Sequence, residues 1–139
     1  MERRALQVLI AVAGLVPVGA GMAGVLWGPA GLGGEQAPGA VDSQFRFLSG
    51  LLAAVGVAYW SAIPDIEREE TKIGLLTAIV IAGGFARALG MLIAGPPGAL
   101  VSAALILELI VAPAIYLWRK RIAQRAAPPP ASVSSVDAA

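Results

Sequence analysis

Long apolar segments separated by short polar ones dominate this chain. The apolar segments extend over residues 5–27, 45–63, 73–94 and 99–118. Each has close to the roughly 20 residues that a helix needs to cross the hydrocarbon core of a bilayer. An α-helix is the open-chain structure that satisfies its own backbone hydrogen bonds in lipid. The pattern therefore predicts an all-α integral membrane protein with four transmembrane helices.

The connections between these segments predict how the helices are arranged. Two prolines flanked by glycines at residues 95–98 end the third helix, because proline cannot continue it, and favour a tight hairpin. Short connections of this kind predict an antiparallel four-helix bundle over residues 1–125. The tail, residues 126–139, is rich in Pro, Ala and Ser and has too little to bury, so we expect it to be disordered.

The distribution of basic residues predicts the orientation of the bundle. The two segments 28–43 and 95–98 contain no Lys or Arg. The termini and the 64–72 connection hold the basic residues outside the spans, which are Arg3, Arg4, Arg68, Lys72, Arg119, Lys120, Arg121 and Arg125. Because cytoplasmic loops carry the excess of Lys and Arg, we expect both termini on the cytoplasmic side of a bacterial inner (plasma) membrane. A cleaved signal peptide is the alternative for the first segment, but that segment is longer than a typical signal core.

Composition narrows the classes of function. The chain is 58% hydrophobic and 14% charged, with a net charge of +1 and neither Cys nor His. Disulfides, Cys/His zinc sites, His-ligated haem and histidine general bases are therefore excluded for this chain alone. We expect no cofactor and no metal. The small net charge gives no support to a nucleic-acid partner.

Three charged residues lie inside the predicted spans: Arg46, Arg87 and Glu108. An isolated charge at the bilayer centre costs roughly 2.5–3.5 kcal/mol, so each needs a partner or water. Counted from the hairpin, Arg87 and Glu108 lie about 10 and 13 Å below the outer surface, which predicts an ion pair between the third and fourth helices. Asp42 precedes Arg46 by one helical turn and is expected to pair with it. Asp42 or Ser43 is also a predicted N-cap.

The candidate polar intramembrane site consists of Asp42, Arg46, Ser49, Arg87 and Glu108. Two Arg and one Glu are expected to converge on an outward-facing pocket with a surplus positive charge, which would suit an anionic headgroup or a small carboxylate. Two alternatives remain open. The Arg87–Glu108 pair is a structural clamp that fixes helix register, or Arg87 extends outward and leaves Glu108 protonated or hydrated. The 64–72 connection is interpreted as a solvated turn.

Three short motifs resemble the recurring features of a bacterial membrane family, domain-of-unknown-function family 4345. They are Asp-Ser-Gln-Phe-Arg-Phe-Leu-Ser-Gly at 42–50, Gly-Gly-Phe-Ala-Arg at 83–87 and Leu-Glu-Leu at 107–109. The resemblance covers residues 3–123 and implies a small four-helix inner-membrane protein without an established activity. The layout is also similar to the DoxX-like four-helix proteins, some of which are tied to quinone-linked redox. Without Cys or His, a redox role would belong to a partner.

These observations favour a non-enzymatic accessory or scaffold protein. Small residues mark helix interfaces in lipid, and the second helix carries a stripe of them at Gly50, Ala54, Ala58 and Ala62. The expected partners are membrane lipids and either another membrane protein or a second copy of the chain. The alternative is a transporter or binder of a small anionic solute or lipid headgroup through the Arg/Arg/Glu site. An enzyme is disfavoured, since Ser49 has no base and Glu108 has no second carboxylate to share acid and base roles.

Overall fold

The computed structural model describes residues 1–126, and helices are the regular structure within that range. Helix α1 spans Glu2–Trp27, α2 spans Gly39–Ser61 and α3 spans Glu70–Ala94. The last helix, α4, continues through three pieces: Ala99–Ile106, a π-helical turn at Leu107–Val111, and Ala112–Ala126. A short 3-10 helix, Gly28–Leu32, follows α1. The all-α prediction is confirmed for these residues, whereas the predicted disordered tail lies, beyond Ala126, outside them.

Three of the four helices are long and apolar enough to cross a membrane: Glu2–Gly31, Glu70–Ala94 and Ala99–Arg125. Helix α2 is not among them. The reason is its sequence, because its first turns carry Asp42, Gln44 and Arg46 and these polar residues lower its mean hydropathy. The chain therefore has the helices of a membrane protein with three clear spans. Crossing by α2 stays a prediction.

Helix α2 begins at Gly39, about one turn before the residues predicted to be its N-cap. The residue that precedes the helix is Pro38, which makes no side-chain capping bond, so the prediction of Asp42 or Ser43 as N-cap is wrong. Pro38 has an extended backbone, with φ −52° and ψ 148°, and its carbonyl accepts the Asp42 N–H at 2.9 Å. The Asp42 carboxylate is consequently free to pair with a side chain rather than with the helix backbone.

Glycines on α1 allow α2 to approach it closely. A Cβ on Gly21 would lie 2.6 Å from the Ala53 backbone nitrogen, and one on Gly24 would overlap Ser49 Oγ. Positions later in α1 therefore meet positions earlier in α2. The predicted stripe on α2 is displaced, since Ala54 is exposed. The buried positions of α2 are Ser49, Ala53, Gly56 and Tyr59.

Aromatic side chains at the end of α2 join it to both neighbouring helices. Trp60 Nε1 donates to the carbonyl of Ala11 at 3.1 Å. The indole fits there because Gly14 has no side chain, and any Cβ at that position would overlap it. The hydroxyls of Tyr59 and Thr77, both buried, lie 3.0 Å apart and link α2 to α3.

The buried apolar core lies at one end of the bundle, which we call the terminal end. It joins the N-terminal half of α1, the ends of α2 and α4, the start of α3 and the connection before α3. Its members are Leu6, Ile10, Tyr59, Ala62, Ile66, Ile73, Leu76, Ile115 and Ile122. Since lipid tails are as apolar as these side chains, close packing holds the helices together where this core meets the membrane.

The opposite end, which we call the hairpin end, contains residues 28–38 and the turn between α3 and α4. The turn requires glycine, because Gly95 and Gly98 have φ angles of 84° and 107°. The first piece of α4 contains no buried residue. On α3, Leu92 and Ile93 are 84% and 78% exposed. The two ends therefore differ in packing: side chains of α3 and α4 near the hairpin are left to lipid or to another protein.

Candidate functional site

Arg87 on α3 and Glu108 on α4 form the ion pair that their depth predicts. Arg87 Nε donates to Glu108 Oε2 at 2.9 Å, and Arg87 Nη2 donates to Oε1 at 2.8 Å. This two-bond geometry is the strongest arrangement available to an arginine and a carboxylate. The side chains are 30% and 14% exposed. Arg87 therefore does not extend away from Glu108. The alternative in which Arg87 points outward and leaves Glu108 protonated or hydrated is wrong.

Two backbone features bring these side chains together. A Cβ on Gly84 would lie 2.7 Å from Leu109 Cδ2 and 3.0 Å from Glu108 Cβ, so glycine permits the close approach of α3 and α4. The π-helical turn on α4 places Glu108 in a widened stretch, where the Ala112 N–H bonds to the Leu107 carbonyl. Pro113 explains the widening, because it has no N–H to continue the α-helical pattern.

Arg46 and Asp42 form the second predicted pair, on α2. Arg46 Nε donates to Asp42 Oδ2 at 2.7 Å, and Nη2 donates to Oδ1 at 3.3 Å. Arg46 Nη1 also donates to the carbonyls of Val25 and Leu26, at 2.6 and 3.2 Å. Carbonyls in the last turn of a helix have no partner within the helix and carry partial negative charge. Arg46 is therefore a cap for the end of α1.

The structure does not bring the two pairs into one site. Arg46 contacts Asp42 and the end of α1, whereas Arg87 contacts Glu108 on α4. Each arginine has its own carboxylate, so neither pair carries a surplus charge. The expectation that two Arg and one Glu converge on one positive pocket is wrong. Counting residues along a helix gives depth, and it does not give the side of the bundle that a residue faces.

Ser49, the last predicted site residue, has a packing role in this structure. Its hydroxyl donates to the Phe45 carbonyl at 2.7 Å, one turn earlier in the same helix. The side chain is buried against Gly24 of α1. A serine that bonds to its own helix hides its polarity and packs as a small residue. It therefore contributes to the α1–α2 interface.

A pocket of about 300 Å³ lies beside Arg46 at the hairpin end. It is lined by Trp27, Pro29, Ala30, Gln36, Ala37, Gly39, Asp42 and Arg46. Both members of the α2 ion pair thus line this pocket, and neither Arg87 nor Glu108 does. In residues 1–126, no group of three or more His, Cys, Asp or Glu side chains is placed to hold a metal ion.

Sequence reasoning missed Arg119, the most buried charged side chain in the described residues. Its Nε donates to the Ile66 carbonyl at 3.0 Å, and Nη2 donates to the Glu67 carbonyl. Its Nη1 lies 3.1 Å from Glu70 Oε2, without the alignment of a hydrogen bond. The end of α4 is thereby tied to the connection between α2 and α3.

That connection is held from α1 as well. Gln7 Nε2 donates to the Ile63 carbonyl at 2.8 Å, and Arg3 Nη2 donates to the Pro64 carbonyl at 2.9 Å. Ile66 itself is fully buried in the core. The interpretation of this connection as a solvated turn holds for the exposed residues Pro64, Asp65 and Arg68. It is wrong for Ile66 and for the carbonyls that accept hydrogen bonds from side chains of α1 and α4.

A signal for Arg119 is present in the sequence. Ala112, Ile115, Arg119 and Ile122 follow one another at spacings of three and four residues, which places them on one helical face. Ala112, Ile115 and Ile122 are all buried. The neighbouring Lys120 and Arg121 are exposed, and this run of basic residues conceals the one that faces inward.

The model of a family described as a domain of unknown function (DUF4345) matches residues 5–119. No curated protein and no solved structure matches the chain. The match includes both ion pairs and Arg119.

Proposed function

Because this chain belongs to the DUF4345 family, whose description assigns no activity, we propose a function from the geometry: it is a non-enzymatic accessory or scaffold protein of the bacterial inner membrane. The observation that carries the proposal is the pairing of the charges within and beside the spans. Arg87 is held by Glu108, and Arg46 by Asp42 and the end of α1. Charged side chains that are paired in this way hold the helices in position. They are not placed to transfer protons or to attack a substrate.

The partner surface in this proposal is the outer half of the α3–α4 hairpin. Large apolar side chains are exposed there, including Leu89, Leu92, Ile93 and Leu100. A Cβ on Gly83 or Gly90 would have no heavy atom within 4 Å, so both glycines lie open. Small residues between large apolar ones allow a second helix to pack closely in lipid.

The proposed topology is an antiparallel four-helix bundle with α2 crossing the membrane and both termini in the cytoplasm. The arrangement of charge supports it, since the basic residues outside the spans lie on the terminal side and residues 28–38 contain none. Crossing by α2 is supported by the pairing of Arg46 and Asp42, which reduces the cost of placing both near the membrane surface. Reporter fusions after Gly34 and after Gln124 test this orientation. A cytoplasmic signal from the fusion after Gly34 would contradict it.

The scaffold role is tested with a photocrosslinking residue placed at Gly90 on the open surface. The matched control is Leu75, which is 62% exposed on the same helix near the terminal end. We expect crosslinks to one defined membrane protein, or to a second copy of the chain, from position 90 and not from position 75. Crosslinks to lipid alone from both positions, with a monodisperse monomer in mild detergent, would exclude the scaffold role.

A further inference from the structure

The pocket beside Arg46 has a charge arrangement that differs from that of an anion site. Asp42 already neutralises Arg46, and the carbonyls of Val25 and Leu26 add the partial negative charge of a helix C-terminus. The surroundings of the guanidinium are therefore negative. An anion alone would have to compete with a carboxylate that is already bound in two places.

Hydrogen-bonding capacity remains on both members of the pair. Arg46 uses Nε, both N–H groups of Nη1 and one N–H of Nη2, which leaves one donor on Nη2. Asp42 Oδ1 accepts only a long bond of 3.3 Å, so this oxygen retains acceptor capacity. The pocket thus offers one acceptor for a cation and one donor for an anion, close together. A ligand that carries both charges suits this arrangement better than a ligand that carries one.

The position of the pocket indicates where such a ligand comes from. Trp27 lines the pocket near the end of the Glu2–Gly31 span, and tryptophan is enriched at the depth of lipid headgroups. Its ring also provides a face for an ammonium group. The volume, about 300 Å³, is at the small end of the roughly 300–1,000 Å³ range of ligand pockets, which suits a headgroup rather than a whole lipid.

We propose that this pocket binds a zwitterionic phospholipid headgroup, with a primary ammonium on Asp42 and the adjoining phosphate on Arg46. The ammonium donates to Asp42 Oδ1 and lies against Trp27, and a phosphate oxygen accepts from Arg46 Nη2. The site lies on α1 and α2, so it is independent of the partner surface on α3 and α4. In this proposal the Asp42–Arg46 pair has two roles: it caps the end of α1, and it binds a ligand.

The test uses the full chain in mild detergent, with thermal melting and native mass spectrometry as the measurements. The probes are phosphatidylethanolamine, phosphatidylglycerol and soluble O-phosphoethanolamine. We expect phosphatidylethanolamine to bind and raise the melting temperature, and phosphatidylglycerol to have a much smaller effect. Protection by O-phosphoethanolamine as well would support the same chemistry with a soluble source. Protection by the lipid alone would support a membrane source.

Three variants assign the effect to the pocket. Asp42→Asn keeps the shape of the side chain and removes its charge, so we expect binding to fall about tenfold or more. Trp27→Leu leaves the Asp42–Arg46 pair in place and is expected to weaken binding by about two- to fivefold. Glu35→Gln is the control. It removes an acidic side chain from the segment 28–38, and Glu35 itself does not line the pocket.

Two results would overturn the proposal. One is equal or stronger stabilisation by phosphatidylglycerol, which would mean that the site selects an anion. The other is wild-type binding by both Asp42→Asn and Trp27→Leu. If Asp42→Asn proves unstable without lipid, Trp27→Leu decides the question, since the Trp27 residue is 64% exposed and its side chain makes no capping hydrogen bond to the 3-10 helix.

Discussion

Arg119 at the terminal end and Arg87 toward the hairpin end show two ways of holding an arginine in this bundle. The Arg119 side chain is 3% exposed and donates to backbone carbonyls of the α2–α3 connection, with Glu70 nearby. The Arg87 side chain is 30% exposed and, within residues 1–126, bonds only to the carboxylate of Glu108. One arginine joins a helix to a buried connection, and the other joins two helices to each other. From this comparison we expect a single substitution to lower the free energy of unfolding more at the terminal end than near the hairpin.

The largest effect is expected from Arg119→Leu. This change leaves the carbonyls of Ile66 and Glu67 without their donor in a buried or partly buried place, so we expect the free energy of unfolding to fall by about 1–3 kcal/mol for each of the two carbonyls. Unfolding in mild detergent, followed by circular dichroism, measures it. Lys120→Ala is the matched control, because Lys120 is the exposed neighbour. Equal stability of the two variants would remove the distinction between the ends of the bundle.

A smaller loss is expected from breaking the Arg87–Glu108 pair. Arg87→Leu leaves Glu108 uncompensated, which costs roughly 2.5–3.5 kcal/mol on insertion scales, because a charge in the membrane can recruit water. The double change Arg87→Leu with Glu108→Leu is expected to recover most of this loss, since it leaves no unpaired charge. A double-mutant cycle from detergent melting measures the coupling. Additive losses would mean that the two side chains are not coupled in solution.

Adjacent glycines on α3 give the next comparison. Gly84→Ala forces a methyl group against Leu109 and Glu108, and overpacking of this kind costs about 1–3 kcal/mol. Gly83→Ala meets no atom within 4 Å and is expected to be neutral or to stabilise the helix by up to about 1 kcal/mol. The same melting assay separates them. Destabilisation by Gly83→Ala would indicate a contact on the open surface, as expected in a complex and not in the isolated chain.

The smallest effect is expected from Tyr59→Phe, which removes the hydrogen bond to Thr77 and keeps the ring in the core. Hydrogen bonds between membrane helices contribute about 0.6 kcal/mol on average. Thr77→Val and the double variant complete a cycle that isolates this bond. A coupling larger than the loss measured for Arg119→Leu would show that this hydroxyl pair stabilises the terminal end more than Arg119 does.

The sequence predicts some of these features well, for physical reasons. The Arg87–Glu108 pair follows from residue counting, because the rise per residue is constant and a hairpin gives both helices one origin. The Asp42–Arg46 pair follows from helical spacing in the same way. Both predictions concern distance along an axis, which is the quantity that a helical sequence determines most directly.

Other features depend on tertiary contacts that a single helix does not reveal. Arg46 looks free to attract an anion in the sequence, but the carbonyls of Val25 and Leu26, which lie at the end of α1 far away in sequence, accept hydrogen bonds from its Nη1 at 2.6 and 3.2 Å. Arg119 looks like one more basic residue of a cytoplasmic flank until the buried connection is seen beneath it. The direction in which each arginine points depends on a neighbouring element. The prediction that Arg46 and Arg87 share one pocket was wrong for this reason.

The π-helical turn at Leu107–Val111 has a consequence for how this chain can vary in length. Each residue of an α-helix turns the chain by about 100°, so an insertion or deletion inside a span normally rotates everything beyond it away from its neighbours. A π turn accommodates one surplus residue locally. Loss of one residue there would convert the π turn to regular α-helix, and both the hairpin side of α4 and Ile115, Arg119 and Ile122 would keep their places. Relatives that are one residue shorter in this helix are therefore expected to keep the terminal end and the face that α4 presents to Arg87.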